Sequence, residues 1–173
     1  MHYKQLSRVA TQQEIISKVN NAKFNPDLAL TLTLCEVPLY EQTNLANSSV
    51  TQQQFHILEN NFKRFMCYLN EVCYGRNWYR LKKNNPEKSI QILAAIEIKN
   101  HQYHFHCSVQ TPTHMIQDDF KEFILKLWPK TKYGSKHEND IRPIYDLNGW
   151  ISYMTKDLHK HNGLGYVSYS NFC

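Results

Sequence analysis

Two histidines one residue apart, His104 and His106, are the first residues whose type and spacing could do chemistry. They lie in QYHFHCSVQ, residues 102–110, where apolar and polar residues alternate as in a half-buried strand. Successive side chains of a strand point to opposite faces, so both imidazoles belong to one face. Two imidazoles placed in this way can bind a metal ion.

A carboxylate is expected on the same face, because the preceding segment, residues 90–99, also alternates. Asn100-His101 can form the hairpin turn, since both residue types tolerate positive φ. This turn pairs Glu97 with His104, and directly opposed residues of antiparallel strands share a face. A slip of one residue would turn the carboxylate towards the core. We therefore predict that Glu97, His104 and His106 bind a divalent cation.

Histidines at this spacing also occur on strand surfaces without binding anything, so the HxH pattern alone is weak. A second HxH, His159-Lys160-His161, has neither a carboxylate partner nor apolar alternation around it. We interpret it as the solvated end of a helix. The carboxylate at the matching cross-strand position favours the ligand interpretation for His104 and His106.

A tyrosine and a lysine form the second candidate. In IYDLNGWISYMTKDLHK, Tyr153 and Lys156 stand three residues apart on a predicted helix over 147–159, and so share a face. An ammonium group eases ionisation of a neighbouring phenol and can neutralise phosphate charge. A half-buried tyrosine beside an extended lysine is also common in proteins, so the pair alone is weak.

Other tyrosines near the end of the sequence are poorer nucleophile candidates. Tyr166 and Tyr169 lie in a glycine-containing tail, which we expect to hold no side chain at attack distance. Tyr145 stands beside Asp146, whose negative charge disfavours a phenolate. Tyr153 is therefore the predicted nucleophile.

The elements that must position these residues mix helices and strands in the order α-β-α-β-β-α-β-α. This order predicts an α+β domain with a central antiparallel sheet and packed helices. Two helices are expected to begin at capping boxes, at Thr11 and at Thr51. The other predicted elements are strands at 28–37, 90–99, 102–110 and 139–145, and helices at 116–128 and 147–159.

A basic, turn-rich segment over 75–89, GRNWYRLKKNNPEKS, carries five basic residues against one acid and two aromatic rings. Basic groups beside aromatic rings suit single-stranded nucleic acid. Residues 121–137, with five lysines and one glutamate, are a weaker candidate. A solvated helix end or loop is the alternative for both segments. The predicted DNA contacts are Arg76, Trp78, Arg80, Lys82 and Lys83.

Composition indicates one soluble domain over residues 1–173. The net charge of +5 permits a polyanionic partner, and 42% hydrophobic residues suffice for a core. We find no signal sequence and no apolar run that could span a membrane, so we expect a cytoplasmic protein that is not secreted and has no membrane partner. The five cysteines, an odd number with no CxxC, indicate reduced thiols.

Taken together, these features follow the motif order of the HUH endonucleases. A Thr-rich strand over 28–34 is followed by Glu97 with His104-Phe105-His106, and then by Tyr153-Met154-Thr155-Lys156. The sequence resembles the single-tyrosine rolling-circle replication initiators (Rep proteins) of that superfamily over about residues 28 to 160. EIKNHQYHFHCSVQT is similar to their second motif and GWISYMTKDL to their third.

The resemblance implies a divalent cation, Mg²⁺ or Mn²⁺, on the Glu97 and histidine site, and a single-stranded DNA substrate such as an origin or hairpin. It implies attack by Tyr153, a 5′-phosphotyrosine intermediate and support of the phenolate or phosphate by Lys156. Thr31 and Thr33 of the Thr-rich strand are expected to contact DNA. The function implied is initiation of rolling-circle replication of a plasmid, phage or virus, in a bacterium or an infected host cell.

Other functions stay open at this point. A conjugative relaxase or a single-tyrosine transposase would use the same chemistry, and a non-catalytic regulator would only bind single-stranded DNA. A 2H-type phosphoesterase needs two Hx[ST] motifs, and only His106-Cys107-Ser108 is present. No GxxxxGK[ST] motif occurs, so either a host helicase is a partner or the chain is the nuclease domain of a larger protein.

Overall fold

The computed structural model describes residues 12–22, 24–35, 52–99, 102–156 and 167–170. Five helices and five strands lie in these ranges, with one short 3-10 turn at Trp128–Lys130. The helices are α1 (Gln12–Asn21), α2 (Gln52–Tyr74), α3 (Trp78–Asn84), α4 (Gln117–Leu127) and α5 (Leu147–Met154). The strands are β1 (Leu28–Thr33), β2 (Ile92–Lys99), β3 (Gln102–Val109), β4 (Asp140–Pro143) and β5 (Val167–Ser170).

The strands form one antiparallel sheet in the order β4-β1-β3-β2-β5. Strands β2 and β3 pair Glu97 with His104, which confirms the predicted hairpin register. On its other side β3 pairs with β1, so that Thr31 lies opposite His106 and Thr33 opposite His104. The predicted α+β fold with a central antiparallel sheet is confirmed, and β3 is its middle strand.

One face of the sheet carries the larger hydrophobic core. Apolar residues at alternate positions of β1, β2 and β3 meet the apolar faces of α2 and α4 there. Phe105, between the two histidines, is fully buried on this face and packs against Phe62 with the rings tilted and their centroids 4.6 Å apart. The 3- and 4-residue spacing of apolar residues in α2 is what allows that helix to cover the sheet.

The other face is packed against α1 and α5. Its smaller core contains Ile15 and Val19 of α1, Leu93 and Ala95 of β2, and Ile151 of α5. The polar strand positions that include the two histidines and Glu97 share this face, because they alternate with the residues of the larger core. The sheet therefore presents its chemistry on the side opposite its main core.

Several element predictions were wrong in detail. Residues 78–84 form a helix rather than turns, since Arg, Leu and Lys are good helix formers and buried Trp78 anchors the segment. β1 ends at Thr33 rather than at residue 37, and the next residue, Leu34, forms an isolated bridge with Gly134. β5 was not predicted at all, since the alternation in VSYS covers only four residues and is too short to distinguish a strand from a loop.

Some predicted features lie outside the described residues. They are the first residues of both capping boxes, Thr11 and Thr51, the Asn100-His101 turn, His159-Lys160-His161 and Tyr166. In the part of the chain that is described, no helix is both long and apolar enough to cross a membrane.

Candidate active site

Two neighbouring strands, β2 and β3, bring a carboxylate and two imidazoles together on the polar face of the sheet. Glu97 and His106 are buried, 6% and 3% exposed, and His106 Nε2 lies 2.5 Å from Glu97 Oε2. The rings of His104 and His106 are nearly parallel, with centroids 6.4 Å apart. The three predicted metal ligands are thus neighbours on one face, and two of them are in direct contact.

Lys156 completes the surroundings of the Glu97 carboxylate. Its Nζ donates to Glu97 Oε1 at 2.7 Å. Burial by itself raises the pKa of Glu97, but hydrogen bonds from Lys156 and His106 outweigh it and lower that pKa to about 2. Partial burial lowers the pKa of Lys156, but its contacts with Glu97 and Tyr153 outweigh this and raise the pKa above the usual lysine value. At neutral pH the pair is therefore a carboxylate and an ammonium.

Helix α5 positions the predicted nucleophile. It begins at Asp146, whose Oδ1 accepts from the Gly149 amide at 2.9 Å. A Cβ at Gly149 would meet the Asp146 carboxylate, so a larger residue here would require that side chain to shift. Ile151 and Met154 are buried against the sheet, while Tyr153 is 45% exposed. A side chain at Tyr153 is therefore held by a capped helix and is still accessible to a substrate.

The ring of Tyr153 packs on the predicted metal site. It meets His106 edge-on at a centroid distance of 5.3 Å, and the Lys156 Nζ lies 3.8 Å from its centroid. Trp150, which was not predicted from the sequence, stacks on Tyr153 with the ring centroids 5.4 Å apart. Its Nε1 donates a hydrogen bond to Cys107 O at 3.1 Å. The sequence does contain a pattern that points to Trp150, because it stands three residues before Tyr153 and so shares a face of the helix with it.

The end of α5 differs from its prediction. The helix ends at Met154 rather than at residue 159, and the Thr155 hydroxyl bonds back to Ile151 O at 2.6 Å. Tyr153 is thus near the end of the helix, and Lys156 lies in the turn that follows. This turn lets the lysine reach the sheet as well as the tyrosine ring.

The prediction that Tyr169 lies in a loose tail was wrong. Tyr169 belongs to strand β5 and pairs with Leu93 of β2, so it is not in an unstructured tail. Leu93 is four residues before Glu97 on β2, about 13 Å along the strand. Distance along the sheet, rather than a loose tail, is what now disfavours Tyr169 as the nucleophile.

Hydroxyl groups of β1 orient the two imidazoles. Thr31 Oγ1 lies 3.1 Å from His106 Nδ1, and Thr33 Oγ1 lies 3.2 Å from His104 Nδ1. Thr33 is 1% exposed, so its hydroxyl faces the protein rather than solvent. The structure brings both threonines to the site, where they contact the histidines.

The basic residues predicted to contact DNA lie away from the site formed by Glu97, the two histidines and Tyr153. Arg76, Arg80, Lys82 and Lys83 are on α3 and the turn before it, which follow the end of α2. Cys73, near the end of α2, has its carbonyl oxygen 2.8 Å from His114 Nε2, and His114 follows the end of β3. His104 lies near the start of β3, so the end of α2 and the candidate site are at opposite ends of that strand. In this segment Trp78 is buried, and the exposed ring belongs to Tyr79, 57% exposed.

The donors fit a divalent cation in type, since a carboxylate and two imidazoles share one face. Both oxygens of Glu97 already have a partner, however, since Oε2 contacts His106 and Oε1 contacts Lys156. Within the described ranges, no group of three His, Cys, Asp or Glu side chains is set to hold a metal ion. Binding a cation here requires Glu97 to exchange these partners.

Comparisons with protein-family models, with characterised proteins and with solved structures found none that matches this chain significantly.

Proposed function

We propose that the protein cleaves and rejoins single-stranded DNA through a covalent 5′-phosphotyrosine intermediate on Tyr153. The supporting observation is that residues predicted from two separate motifs meet at one place. The Tyr153 ring lies against His106, and Lys156 bonds to Glu97. A phenol beside an ammonium, a carboxylate and imidazoles is a set of groups suited to phosphodiester transfer.

The proposed step exchanges one phosphodiester bond for another. The Tyr153 oxygen bonds to the scissile phosphorus, and the bond from phosphorus to the 3′ oxygen breaks. The phenol loses its proton as the new bond forms, and the departing 3′ oxygen takes one up. The products are a 5′-phosphotyrosine and a free 3′-OH. Attack by a 3′-OH on the phosphotyrosine reverses the step and rejoins the ends without ATP.

Lys156 supplies charge in this proposal. Its raised pKa keeps it protonated at neutral pH, so it neutralises the phosphate and does not accept the proton of the phenol. Trp150 holds the Tyr153 ring by stacking at 5.4 Å, and the ring remains 45% exposed to an incoming strand. A nucleophile held in this way needs little reorientation to attack.

Glu97, His104 and His106 are the residues that would hold Mg²⁺ or Mn²⁺, and the bound ion would polarise the scissile phosphate. Glu97 is already ionised, with a pKa of about 2, so it needs no deprotonation to act as a ligand. Its exchange of Lys156 for the ion would release the ammonium towards Tyr153 and the phosphate.

The biological process we propose is initiation of rolling-circle replication of a plasmid, phage or virus, with an origin or hairpin as substrate. A relaxase or a single-tyrosine transposase would perform the same step on another DNA. Unwinding would need a helicase, supplied by the host or by another part of a larger protein.

The test is covalent capture of DNA. A single-stranded oligonucleotide library with a 3′ label is incubated with the protein and Mn²⁺ and run on a denaturing gel. A 5′-phosphotyrosine retains the 3′ part of the strand, so a 3′ label should move with the protein and a 5′ label should appear in a shorter free product. Binding of the library with no adduct under either label would refute the proposal and leave a single-strand-binding regulator.

A further inference from the structure

His104 is held by a chain of two hydrogen bonds that ends on backbone. Its Nδ1 lies 3.2 Å from Thr33 Oγ1, and that hydroxyl donates to the carbonyl of Glu138 at 2.7 Å. A hydroxyl has one hydrogen and a carbonyl can only accept. The Thr33 hydroxyl therefore donates its one hydrogen to the Glu138 carbonyl. Thr33 Oγ1 must then accept the hydrogen bond from His104, whose Nδ1 carries the hydrogen. A neutral His104 with its hydrogen on Nδ1 has its lone pair on Nε2.

We propose that Thr33 is a positioning residue that fixes His104 in the Nδ1–H tautomer and so makes Nε2 the metal-binding atom. The inference rests on the proposed function for the identity of the ligand, a divalent cation. The tautomer itself follows from the bonds of the chain alone.

The segment 131–139 is built to hold the Glu138 carbonyl at this place. Glu138 has φ of 59°, the one positive φ of a non-glycine residue in the described ranges. Such a conformation persists where the surroundings enforce it. Asn139 Oδ1 accepts from the Thr33 amide at 2.9 Å, and the Ser135 amide donates to Thr33 O, also at 2.9 Å. Backbone and side chain of Thr33 are thus tied to one loop.

Thr33, which contacts His104 Nδ1, is buried in the protein. Thr33 is 1% exposed, and its carbonyl also accepts from Trp128 Nε1 at 2.7 Å. The Thr33 hydroxyl is thus shielded from solvent, while His104 is only partly buried. Removing the hydroxyl alone would leave the histidine free to move its hydrogen to Nε2, the tautomer that cannot bind a cation through that atom.

His106 provides a contrast within the same site. Its Nε2 faces the ionised Glu97 carboxylate at 2.5 Å, and a carboxylate can only accept. His106 therefore carries a hydrogen on Nε2 in this arrangement. A neutral His104 with its hydrogen on Nδ1 has no hydrogen on Nε2, so the two histidines differ in tautomer.

The test reads the tautomer directly in metal-free protein with no DNA present. Two-bond ¹H–¹⁵N spectra at about pH 8.5, well above the usual imidazole pKa of about 6.5, distinguish Nδ1–H from Nε2–H histidines. The His104→Gln variant assigns the resonance. We expect Nδ1–H in the wild type and in Thr33→Ser, and a mixture or Nε2–H in Thr33→Val.

Mn²⁺ affinity, measured by titration calorimetry on the same samples, should fall about 10- to 100-fold in Thr33→Val and little in Thr33→Ser. The control is Glu138→Gly, which keeps the carbonyl and tolerates the positive φ but removes the carboxylate. Its tautomer and affinity should match those of the wild type.

An Nε2–H tautomer of His104 in the wild type would overturn the proposal, and this result needs no variant to fold. An unchanged tautomer in folded Thr33→Val would also overturn it. A wild-type protein with the expected tautomer and Thr33 dependence that forms no DNA adduct would contradict the proposed function instead, so the two failures are distinguishable.

Discussion

At the scale of single residues, Glu97 links the two halves of the candidate site. One carboxylate oxygen contacts a histidine of the sheet and the other contacts a lysine that also covers the tyrosine ring. A cation that bound this carboxylate would compete with the lysine. Binding of a cation would therefore be coupled to the position of the ammonium beside Tyr153 through one side chain.

Tyr153→Phe should abolish the covalent adduct and leave DNA affinity nearly unchanged, because it removes only the attacking oxygen. Tyr145→Phe is the matched control, since Tyr145 is 93% exposed and precedes α5. Peptide mapping of the trapped adduct measures the linkage. Phosphate on any tyrosine other than 153 would show that the nucleophile is wrongly assigned.

Acid should weaken the contribution of Glu97 to folding. Its pKa is lowered from 4.5 to about 2 in the folded protein, so the carboxylate stabilises the fold above about pH 4.5. That contribution, about 3 kcal/mol by linkage, is lost as the pH falls from about 4.5 to about 2.

Urea unfolding of metal-free protein measures this effect against Glu97→Gln. The free-energy difference between wild type and variant should be largest near neutral pH and less than half as large at about pH 3. A difference that stays constant over this range would mean that the contacts with Lys156 and His106 do not stabilise the ionised carboxylate.

At the scale of elements, the loop 131–139 brings positive charge nearer to the site than α3 does. The loop is bonded to Thr33 beside His104, and its Lys132 and Lys136 side chains are exposed. Helix α3 follows the end of α2 that lies at the other end of β3. A strand whose scissile phosphate reaches Tyr153 should therefore lie closer to the loop.

Two double variants that each remove two charges compare these elements. Lys132→Ala with Lys136→Ala should reduce the slope of log affinity against log salt for single-stranded DNA by about 1.4, since each phosphate contact contributes about 0.7. Arg80→Ala with Lys82→Ala should reduce it by less. The reverse order would show that the DNA follows α3, as the charge of its sequence predicted.

The strands were more predictable than the loops, for a physical reason. Alternation fixes which residues share a face, so Glu97, His104 and His106 could be placed together from the sequence. The partner of Thr33 could not, because the bond to Glu138 depends on a loop conformation with no periodic pattern. Helix α3 was missed because charge and turn residues outweighed propensity in a segment of only seven residues.

At the scale of the whole molecule, the sheet separates folding from the proposed chemistry. Phe105 points into the larger core, where it packs near Phe62 and Trp128. Its neighbours His104 and His106 point to the opposite face. The middle strand is thus anchored by one set of residues and carries the candidate ligands with the other set.

Substitutions on the two faces of β3 should therefore have different effects. Phe105→Ala removes a fully buried ring and should cost about 3–5 kcal/mol of stability. His104→Ala should leave the thermal midpoint within a few degrees of wild type but reduce cleavage by about two orders of magnitude or more, as expected for loss of a metal ligand.

In the wild type, excess chelator should stop cleavage and added Mn²⁺ should restore it. Cleavage that persists at full rate in chelator, or in folded His104→Ala, would mean that the polar face holds no catalytic metal.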